Sequence, residues 1–467
     1  MTKRIAIIGG GIAGLTAAWQ LARLAHDGAP VEAHLFESSD RLGGIVETVH
    51  DGGFLVETGP DAWVTEKPWA RTLAHDLGLA DDLLFSNDAA RKTHILANGT
   101  LQTMPDGMRM MVPSDLDALD RSELFSASAK LAYRSELARA DHLKASAPAD
   151  DESIAGFTRR HFGDEVLTRI AAPLLSGVLG GDVERLSVQA VMPQFVAMER
   201  EHGSLIKALR IRSSRESPPI FTTLRSGLDA LIRGLIAGIP SSWLTLNTPV
   251  EALSIAPPGW SVRTRNHTIQ PFDAVFLAAP PRIARTLLQP LDPDIADLLH
   301  MESSSAILVA LGYTAGHRFQ LPPGFGFLVP PSSPTPLLAC TFVDQKFDGR
   351  VPSGARLLRA FFGGPPAEAL LRSSDRDLTD LAQKELANIL GPLCDLAYPS
   401  LSLVRRWPQS LPQYTVGHLT RMADLRTRIA ALPGLVLLGN AYRGVGLPDL
   451  IRDAREAAIR VASTGTP

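Results

Sequence analysis

The fold of this chain is decided near its start, where residues 4–14 read Arg-Ile-Ala-Ile-Ile-Gly-Gly-Gly-Ile-Ala-Gly. Residues 4–8 are a short apolar run of the strand type that ends in glycines. From Ile12 onward apolar residues recur at helical spacing, and residues 31–37 have the pattern of a second strand. A strand, turn, helix and strand within about 35 residues is the size of a βαβ unit. The N-terminus therefore predicts a parallel sheet of an α/β fold.

The turn between this strand and helix fits G-x-G-x-x-G with Gly9, Gly11 and Gly14. The first glycine permits the tight turn, the second lets the backbone approach a pyrophosphate, and the third lets helix and strand pack closely. The helix N-terminus adds unpaired N–H groups for the anion, and Glu37 can accept hydrogen bonds from a ribose. The alternative is a tight glycine turn with a solvated glutamate. We predict a dinucleotide site formed by Gly9, Gly10, Gly11, Ile12, Ala13, Gly14, Glu37 and Ser38.

Composition bounds the class of protein but not its chemistry. The chain has 467 residues, 45% of them hydrophobic, which suggests about three folding units. The net charge of −3 argues against nucleic acid as the main partner, because phosphate binding needs a basic surface. Cys340 and Cys394 are far apart in sequence, which excludes a disulfide scaffold and a thiolate zinc site. We find no metal-binding cluster and no Ser-His-Asp set.

The sequence leads us to expect neither a secretory signal nor a membrane-spanning helix. The apolar run before the first glycines is too short for a secretory signal. The longest uncharged stretch, residues 319–343, is interrupted by six prolines and cannot form a membrane-spanning helix. We therefore expect a cytoplasmic protein.

Residues 41–44, Arg-Leu-Gly-Gly, favour FAD over NAD. They resemble the R-x-G-G motif of the flavin family that includes amine oxidases and phytoene desaturases, and the resemblance implies that Arg41, Gly43 and Gly44 lie near the cofactor phosphates. Near the C-terminus, Gly439 and residues 444–449 precede a helix. In that family the N-terminus of this helix points at the flavin, where its positive dipole end stabilises the anionic reduced form. An ordinary glycine-rich loop is the alternative. Many relatives have Gly-Asp where this chain has Gly-Asn, so a ribityl contact by a carboxylate stays open.

Several longer segments identify a narrower family. Residues 56–63, Val-Glu-Thr-Gly-Pro-Asp-Ala-Trp, resemble the E-x-G-P segment of porphyrinogen oxidases. Residues 407–418 resemble their W-x-x-x-x-P-Q-Y-x-x-G-H segment, and residues 157–187 match their helical part. The chain resembles, over almost its whole length, the FAD-dependent protoporphyrinogen and coproporphyrinogen III oxidases of the haem pathway, most closely the soluble bacterial form.

The resemblance implies roles for individual residues. Lys67 would meet a substrate propionate and the backbone of Gly177 would face the substrate. The alternative for Lys67 is a solvated surface lysine, and the alternative for Trp407 is plain core packing. We interpret His418 as structural. Hydride transfer to flavin N5 needs no catalytic side chain. The further FAD contacts implied are Gly59, Pro60, Asp61, Ala62, Val250, Trp407, Gly439, Val445, Gly446 and Leu447. Of these, Val250 would contact the adenine through its backbone.

The predicted architecture is a two-dinucleotide-binding-domain flavoprotein of the α/β class. Its Rossmann-type FAD domain is discontinuous, with residues 1–86, 218–285 and 416–467. Residues 87–214 are predicted to form a helical domain. Residues 286–415 are predicted to form a substrate domain with an antiparallel or mixed sheet.

The implied reaction is the six-electron oxidation of a porphyrinogen by O2, giving the porphyrin and H2O2. Lys67 favours coproporphyrinogen III narrowly over protoporphyrinogen IX. An amine oxidase or desaturase on the same scaffold, and a non-catalytic binding protein, stay open as alternatives. The methionines of residues 104–111 fit a pliable cavity wall, or a lip that contacts a membrane or the next enzyme. The pathway suggests that such a partner is a ferrochelatase.

Overall fold

A parallel sheet of five strands is the first of the two large sheets of the molecule. The computed structural model describes residues 2–212, 219–266, 268–392 and 394–463. The two central strands are apolar because both faces of the sheet are covered, and Ile5, Ala6 and Ile7 are fully buried. The strands come from the start, the middle and the end of the chain. In spatial order they are Leu244–Thr245, Val31–Phe36, Lys3–Ile8, Ala274–Leu277 and Leu435–Leu437.

Helices cover this sheet on one face and a mixed layer covers the other. On the first face lie helices Ile12–His26, Trp69–Asp76, Asp229–Ala237 and Leu447–Ser463. The second core contains residues of an antiparallel sheet, Val250–Ala256, Gly259–Thr264 and Ile269–Phe272, and of helices Pro281–Leu288, Pro293–Leu298 and His418–Ile429.

The second large sheet has seven strands. It is antiparallel except for one pair, Thr93–Ala97 with Gly326–Leu328. Its order is Leu401–Pro412, Ser303–Tyr313, Arg356–Gly363, Leu337–Phe342, Gly326–Leu328, Thr93–Ala97 and Thr100–Thr103. Helix Asp375–Leu390 packs on one face. On the other lies a hairpin of Thr48–Asp51 and Phe54–Glu57. The prolines of the uncharged stretch lie outside its strands, in the connections. Shorter elements are the helices Val343–Lys346 and Gly364–Leu370, and the strands Trp63–Val64, Leu83–Phe85, Met108–Arg109, Val112–Pro113 and Phe221–Leu224.

A helical region packs against the seven-stranded sheet and against helix His418–Ile429. Ser153 caps one of its helices, as the sequence predicts, because its hydroxyl accepts a hydrogen bond from Gly156 N. A π-helical turn, Leu167–Ala171, lies inside a longer helix. Among the described residues no helix is both long and apolar enough to cross a bilayer. The helices are Leu116–Arg121, Ala127–Ala138, Ala140–Ala145, Ile154–Phe162, Asp164–Val166, Ala172–Leu179, Val188–Val191, Pro193–His202 and Leu205–Arg212.

The predicted fold class is confirmed, with a parallel sheet, a largely antiparallel sheet and a helical region. One feature differs: residues 87–214 are predicted to form a helical domain, whereas two strands within this range, Thr93–Ala97 and Thr100–Thr103, join the seven-stranded sheet. Residues 213 and 214 of the predicted domain lie outside the described residues. The turn between them is Asn98-Gly99, with φ of +52° and +78°. Asn-Gly between apolar runs is a strong hairpin signal that the helical interpretation overlooked. The domain boundaries stay a prediction.

Candidate flavin site

The glycine turn at residues 9–14 is shaped by close backbone contacts. A Cβ on Gly9 would lie 2.5 Å from Ala278 O, and one on Gly14 would lie 2.0 Å from Gly9 O. A Cβ on Gly11 would meet nothing within 4 Å. Gly11 is the N-cap of helix Ile12–His26 and places no side chain on the first-turn N–H groups. The turn therefore combines a tight backbone with an open side that can admit an anion.

The second glycine motif packs directly against the first. Gly43 N donates to Gly10 O at 2.8 Å, and a Cβ on Gly44 would lie 3.2 Å from the Gly11 Cα. The guanidinium of Arg41 points back onto its own loop, where it donates to the carbonyls of Leu42 and Val46 at 3.2 Å and to that of Gly44. The structure thus brings Arg41, Gly43 and Gly44 to the turn, with Arg41 bracing the loop.

Glu37 links the turn to the middle segment of the chain. Its carboxylate accepts from Gly10 N at 2.7 Å and from the Ser39 N and hydroxyl at 2.9 Å. The hydroxyl of Ser38 donates to the same carboxylate at 3.2 Å. The Glu37 carbonyl accepts from Thr248 N at 2.8 Å. Because Thr248 is two residues before Val250, this contact brings the predicted adenine-side residue to the end of the second strand.

The loop of residues 59–62, called the 59–62 loop below, is fixed from several sides. A Cβ on Gly59 would lie 1.9 Å from Ile45 O, which places the loop beside the second glycine motif. Trp407 Nε1 donates to Thr58 O at 2.8 Å. Asp61 accepts from Lys346 at 2.9 and 3.1 Å and pairs with Arg359 at 3.1 Å. Although burial alone would raise the pKa of Asp61, these cations lower it to about 2.

The C-terminal segment reaches the same region through Lys67. Asp449 lies in the first turn of helix Leu447–Ser463, is 4% exposed, and takes a 2.6 Å hydrogen bond from Lys67 Nζ. Arg452 lies 3.5 Å from its other oxygen. A Cβ on Gly444, whose φ is +155°, would lie 2.8 Å from Asp449. The carboxylate can therefore occupy this position because residue 444 is a glycine. The side chain of Asn440 donates to Ser410 O at 2.9 Å.

Gly177 lies where the helical region crosses the seven-stranded sheet. A Cβ there would lie 3.1 Å from Leu328 Cδ2. Leu174, Leu328 and Val445 are all partly buried against the core of the helical region. Val445, one of the predicted flavin contacts, thus packs against the same apolar core as Leu328, the residue that faces Gly177.

His418 is buried and structural in its geometry. Its ring stacks on Tyr414 with centroids 3.9 Å apart. Burial, and then the charge of Arg421, lower the pKa of His418 to about 4. Within the described part of the chain neither ring nitrogen has a hydrogen-bond partner. A neutral, unpaired imidazole is poorly placed to transfer protons.

The cations behind the 59–62 loop are not among the residues predicted from the sequence. Lys346 and Arg359 are 8% and 2% exposed, and both contact Asp61. A signal was available for Arg359, because it interrupts the apolar residues 357–362 of strand Arg356–Gly363. Charged residues in buried strands are rarely present without a paired role.

The glycine turn, the acidic strand end and the second glycine motif together define a dinucleotide-binding flavoprotein fold. The sequence profile described as "Flavin containing amine oxidoreductase" matches residues 12–463. The chain belongs to this family of flavin-containing amine oxidoreductases, which confirms the flavin resemblance.

Curated relatives extend over the whole chain. Coproporphyrinogen III oxidase of Bacillus subtilis is 34% identical, covering 99% of this chain and 98% of the relative. The enzyme of the same name from Staphylococcus aureus is 28% identical, covering 99% of both. Protoporphyrinogen oxidase 1 of Arabidopsis chloroplasts is 30% identical, covering 99% of this chain and 88% of the relative. The porphyrinogen oxidase resemblance is therefore confirmed.

Solved structures agree with this fold. A crystal structure from Exiguobacterium sp. 255-15, provisionally named protoporphyrinogen oxidase, has a TM-score of 0.86 and 32% identity, covering 99% of both chains. A putrescine oxidase variant has a TM-score of 0.71 with 18% identity over 98% of both chains, a likeness of fold alone.

Proposed function

We propose that this chain is an FAD-dependent oxidase that converts a porphyrinogen to a porphyrin in haem biosynthesis, with coproporphyrinogen III as the preferred substrate. The observation that carries the proposal is the 34% identity to a coproporphyrinogen III oxidase over 99% of the chain. The substrate preference rests on the name of that relative and on the position of Lys67.

The residues present fit FAD. Gly11 leaves open space at the end of helix Ile12–His26, where the cofactor pyrophosphate would accept hydrogen bonds from first-turn N–H groups. Glu37 supplies carboxylate oxygens beside that turn for a ribose. On this proposal the 59–62 loop, Trp407 and residues 445–447 hold the isoalloxazine.

The chemistry is the removal of six electrons and six protons from one porphyrinogen. Three O2 accept them and leave as three H2O2. When bound, FAD supplies the hydride acceptor and the transfer of electrons to O2. The protein binds and orients: Trp407 fixes the Thr58 carbonyl, the glycine at 177 keeps side-chain atoms out of the space beside Leu328, and apolar residues exclude water.

Lys67 is the proposed contact for a substrate propionate. It is exposed, and its ammonium has three donors of which Asp449 takes one. O2 as acceptor, a cytoplasmic location, and contact with a membrane or a ferrochelatase belong to the same proposal.

The amine oxidase alternative has weaker support. Relatives that span the chain at 28–34% identity are named for porphyrinogen oxidation. The likeness to putrescine oxidase is 18% identity. A non-catalytic binding role is disfavoured because the glycine turn, Glu37 and the second glycine motif are all retained in contact.

The test uses the full-length chain loaded with FAD. Coproporphyrinogen III in aerated buffer is expected to give porphyrin fluorescence with three H2O2 released per porphyrin formed. Putrescine and benzylamine serve as matched amine substrates. Fluorescence that does not exceed spontaneous oxidation, or turnover of the amines alone, would contradict the proposal. A colourless protein that cannot be loaded with FAD would favour the binding protein.

A further inference from the structure

Three cations are buried behind the 59–62 loop. Lys346, Arg350 and Arg359 are 8%, 1% and 2% exposed. Lysine and arginine are almost never buried to this extent unless they are paired. Their contacts therefore show how far the protein itself compensates their charge.

Two of these cations share one carboxylate of the loop. Lys346 Nζ lies 2.9 and 3.1 Å from the two Asp61 oxygens, and Arg359 Nη1 lies 3.1 Å from Asp61 Oδ2. The other terminal nitrogen of Arg359 donates to Gly59 O. Arg359 Nε has no hydrogen-bond partner within the described ranges. Both cations thus end on the loop that is proposed to hold the isoalloxazine.

The third cation is held by neutral groups. Arg350 donates to Leu224 O at 2.8 Å and to the Thr223 hydroxyl at 3.1 Å. The buried carboxyl of Glu57 attracts it electrostatically. Burial raises the pKa of Glu57 to about 7, despite hydrogen bonds from Leu228 N and the Thr48 hydroxyl. Near neutral pH Glu57 therefore carries only part of a negative charge.

The charge of this cluster is positive by at least one unit. Three cations face two carboxyl groups, Asp61 and Glu57. Adding the next charged neighbours of Arg350, Asp82 and the exposed Arg225, leaves the same excess. An uncompensated charge in a protein interior is strongly unfavourable, so an anion close to the loop would be favoured.

We infer that Lys346 and Arg359 tune the bound cofactor, because the excess positive charge behind the 59–62 loop favours the negatively charged, reduced flavin over the neutral oxidised one. This inference rests on the proposed function, which places the flavin against this loop. Charges in a low-dielectric site act strongly over a few ångströms, so removing one should shift the flavin equilibrium. Lys346 and Arg359 act through electrostatics and loop position, and neither transfers a proton.

The experiment measures the two-electron midpoint potential of the FAD-loaded, full-length protein. Lys346→Gln and Arg359→Gln are each expected to lower the equilibrium constant for flavin reduction at least tenfold, which is a midpoint about 30 mV lower. Asp61→Asn, which removes a negative charge, should raise the midpoint. Lys346→Arg and Arg359→Lys keep the charge and should stay near wild type.

Arg356→Gln is the matched control. Arg356 lies on the same strand as Arg359, an odd number of residues away, so the two side chains lie on opposite faces, and it pairs with Asp344 at 3.2 Å. The flavin midpoint potential of Arg356→Gln should equal that of the wild-type protein. If Arg359→Gln fails to take up FAD, Lys346→Gln decides, because Lys346 hydrogen-bonds the Asp61 side chain whereas Arg359 also holds the loop backbone at Gly59 O.

The outcomes separate this inference from the proposed function. Charge-removing variants that bind FAD with an unchanged midpoint, or a shift reproduced by Arg356→Gln, would overturn the inference and leave the proposed oxidase intact. A wild-type chain that takes up no FAD would contradict both.

Discussion

Lys67 Nζ donates a hydrogen bond to Asp449 Oδ2 at 2.6 Å and so joins two residues 382 positions apart. Asp449 lies in the first turn of the C-terminal helix, where a lone carboxylate would weaken the positive end of the helix dipole. Lys67 and Arg452 offset that charge. The ion pair therefore ties the residue proposed for substrate binding to the segment proposed for flavin binding.

Replacing Lys67 should separate substrate binding from turnover. We expect Lys67→Met to raise the KM for coproporphyrinogen III roughly tenfold, because a charge-assisted hydrogen bond contributes about 1.5–3 kcal/mol. The kcat should change less, and Lys67→Arg should keep most of the affinity. Steady-state kinetics of the FAD-loaded variants checks this. Lys130→Met removes a partly exposed lysine of the helical region, whose ammonium donates to Asp120 O, and serves as control. An unchanged KM in Lys67→Met, together with a lower midpoint of thermal unfolding, would show that Lys67 stabilises the fold through Asp449 and does not bind the substrate.

Two glycines of the turn should respond differently to alanine. Gly11 has φ −72° and open space where a Cβ would lie, so Gly11→Ala should fold normally and yet bind FAD at least tenfold more weakly. In Gly14→Ala the Cβ would lie 2.0 Å from Gly9 O, so the apoprotein itself should be destabilised. Thermal unfolding of apoproteins and fluorimetric FAD titration distinguish the two effects. Wild-type FAD affinity in Gly11→Ala would contradict the placement of the pyrophosphate.

A buried histidine predicts a pH dependence of stability. His161 Nδ1 lies 3.1 Å from Glu136 and its Nε2 lies 3.1 Å from Glu199, which Arg160 also contacts. Burial alone would lower the pKa of His161, but these two carboxylates raise it above 6.5. Because the folded pKa exceeds the unfolded value, this stabilisation is complete below pH 6.5 and is lost as the pH rises through the folded pKa.

We therefore expect His161→Gln to lower the free energy of unfolding by about 3 kcal/mol at pH 6, and by less as the pH rises through the folded pKa. Urea unfolding between pH 6 and 9 measures this difference. His202→Gln, at a histidine of the same region beside Glu201, should change stability by less than about 0.5 kcal/mol. Equal losses in His161→Gln across this pH range would show that His161 is neutral in the folded protein.

Sequence reasoning succeeded where local spacing carries the structure. The close contacts of Gly9 and Gly14 follow from a strand–turn–helix pattern of fourteen residues, and Ser153 has the position of an N-cap. It failed at the Asn98-Gly99 hairpin, because a helical trend over the surrounding hundred residues outweighed a two-residue turn signal.

Contacts between distant residues could not be predicted from spacing. Lys346 and Asp61 are 285 positions apart, and nothing near either residue indicates the other. The resemblance placed Asp61 beside the flavin, but only the folded sheet brings Lys346 and Arg359 behind it. Arg41 likewise needed the folded loop, because its local partners are backbone carbonyls that any sequence provides.

The most direct test of the central claim compares kcat/KM of the FAD-loaded protein for coproporphyrinogen III and protoporphyrinogen IX, followed by porphyrin fluorescence. We predict turnover with the higher kcat/KM for coproporphyrinogen III, because a cation such as Lys67 favours the substrate with four carboxylates over protoporphyrinogen IX, which has two. A strong preference for protoporphyrinogen IX would contradict the substrate assignment, and no turnover of either porphyrinogen would contradict the proposed function.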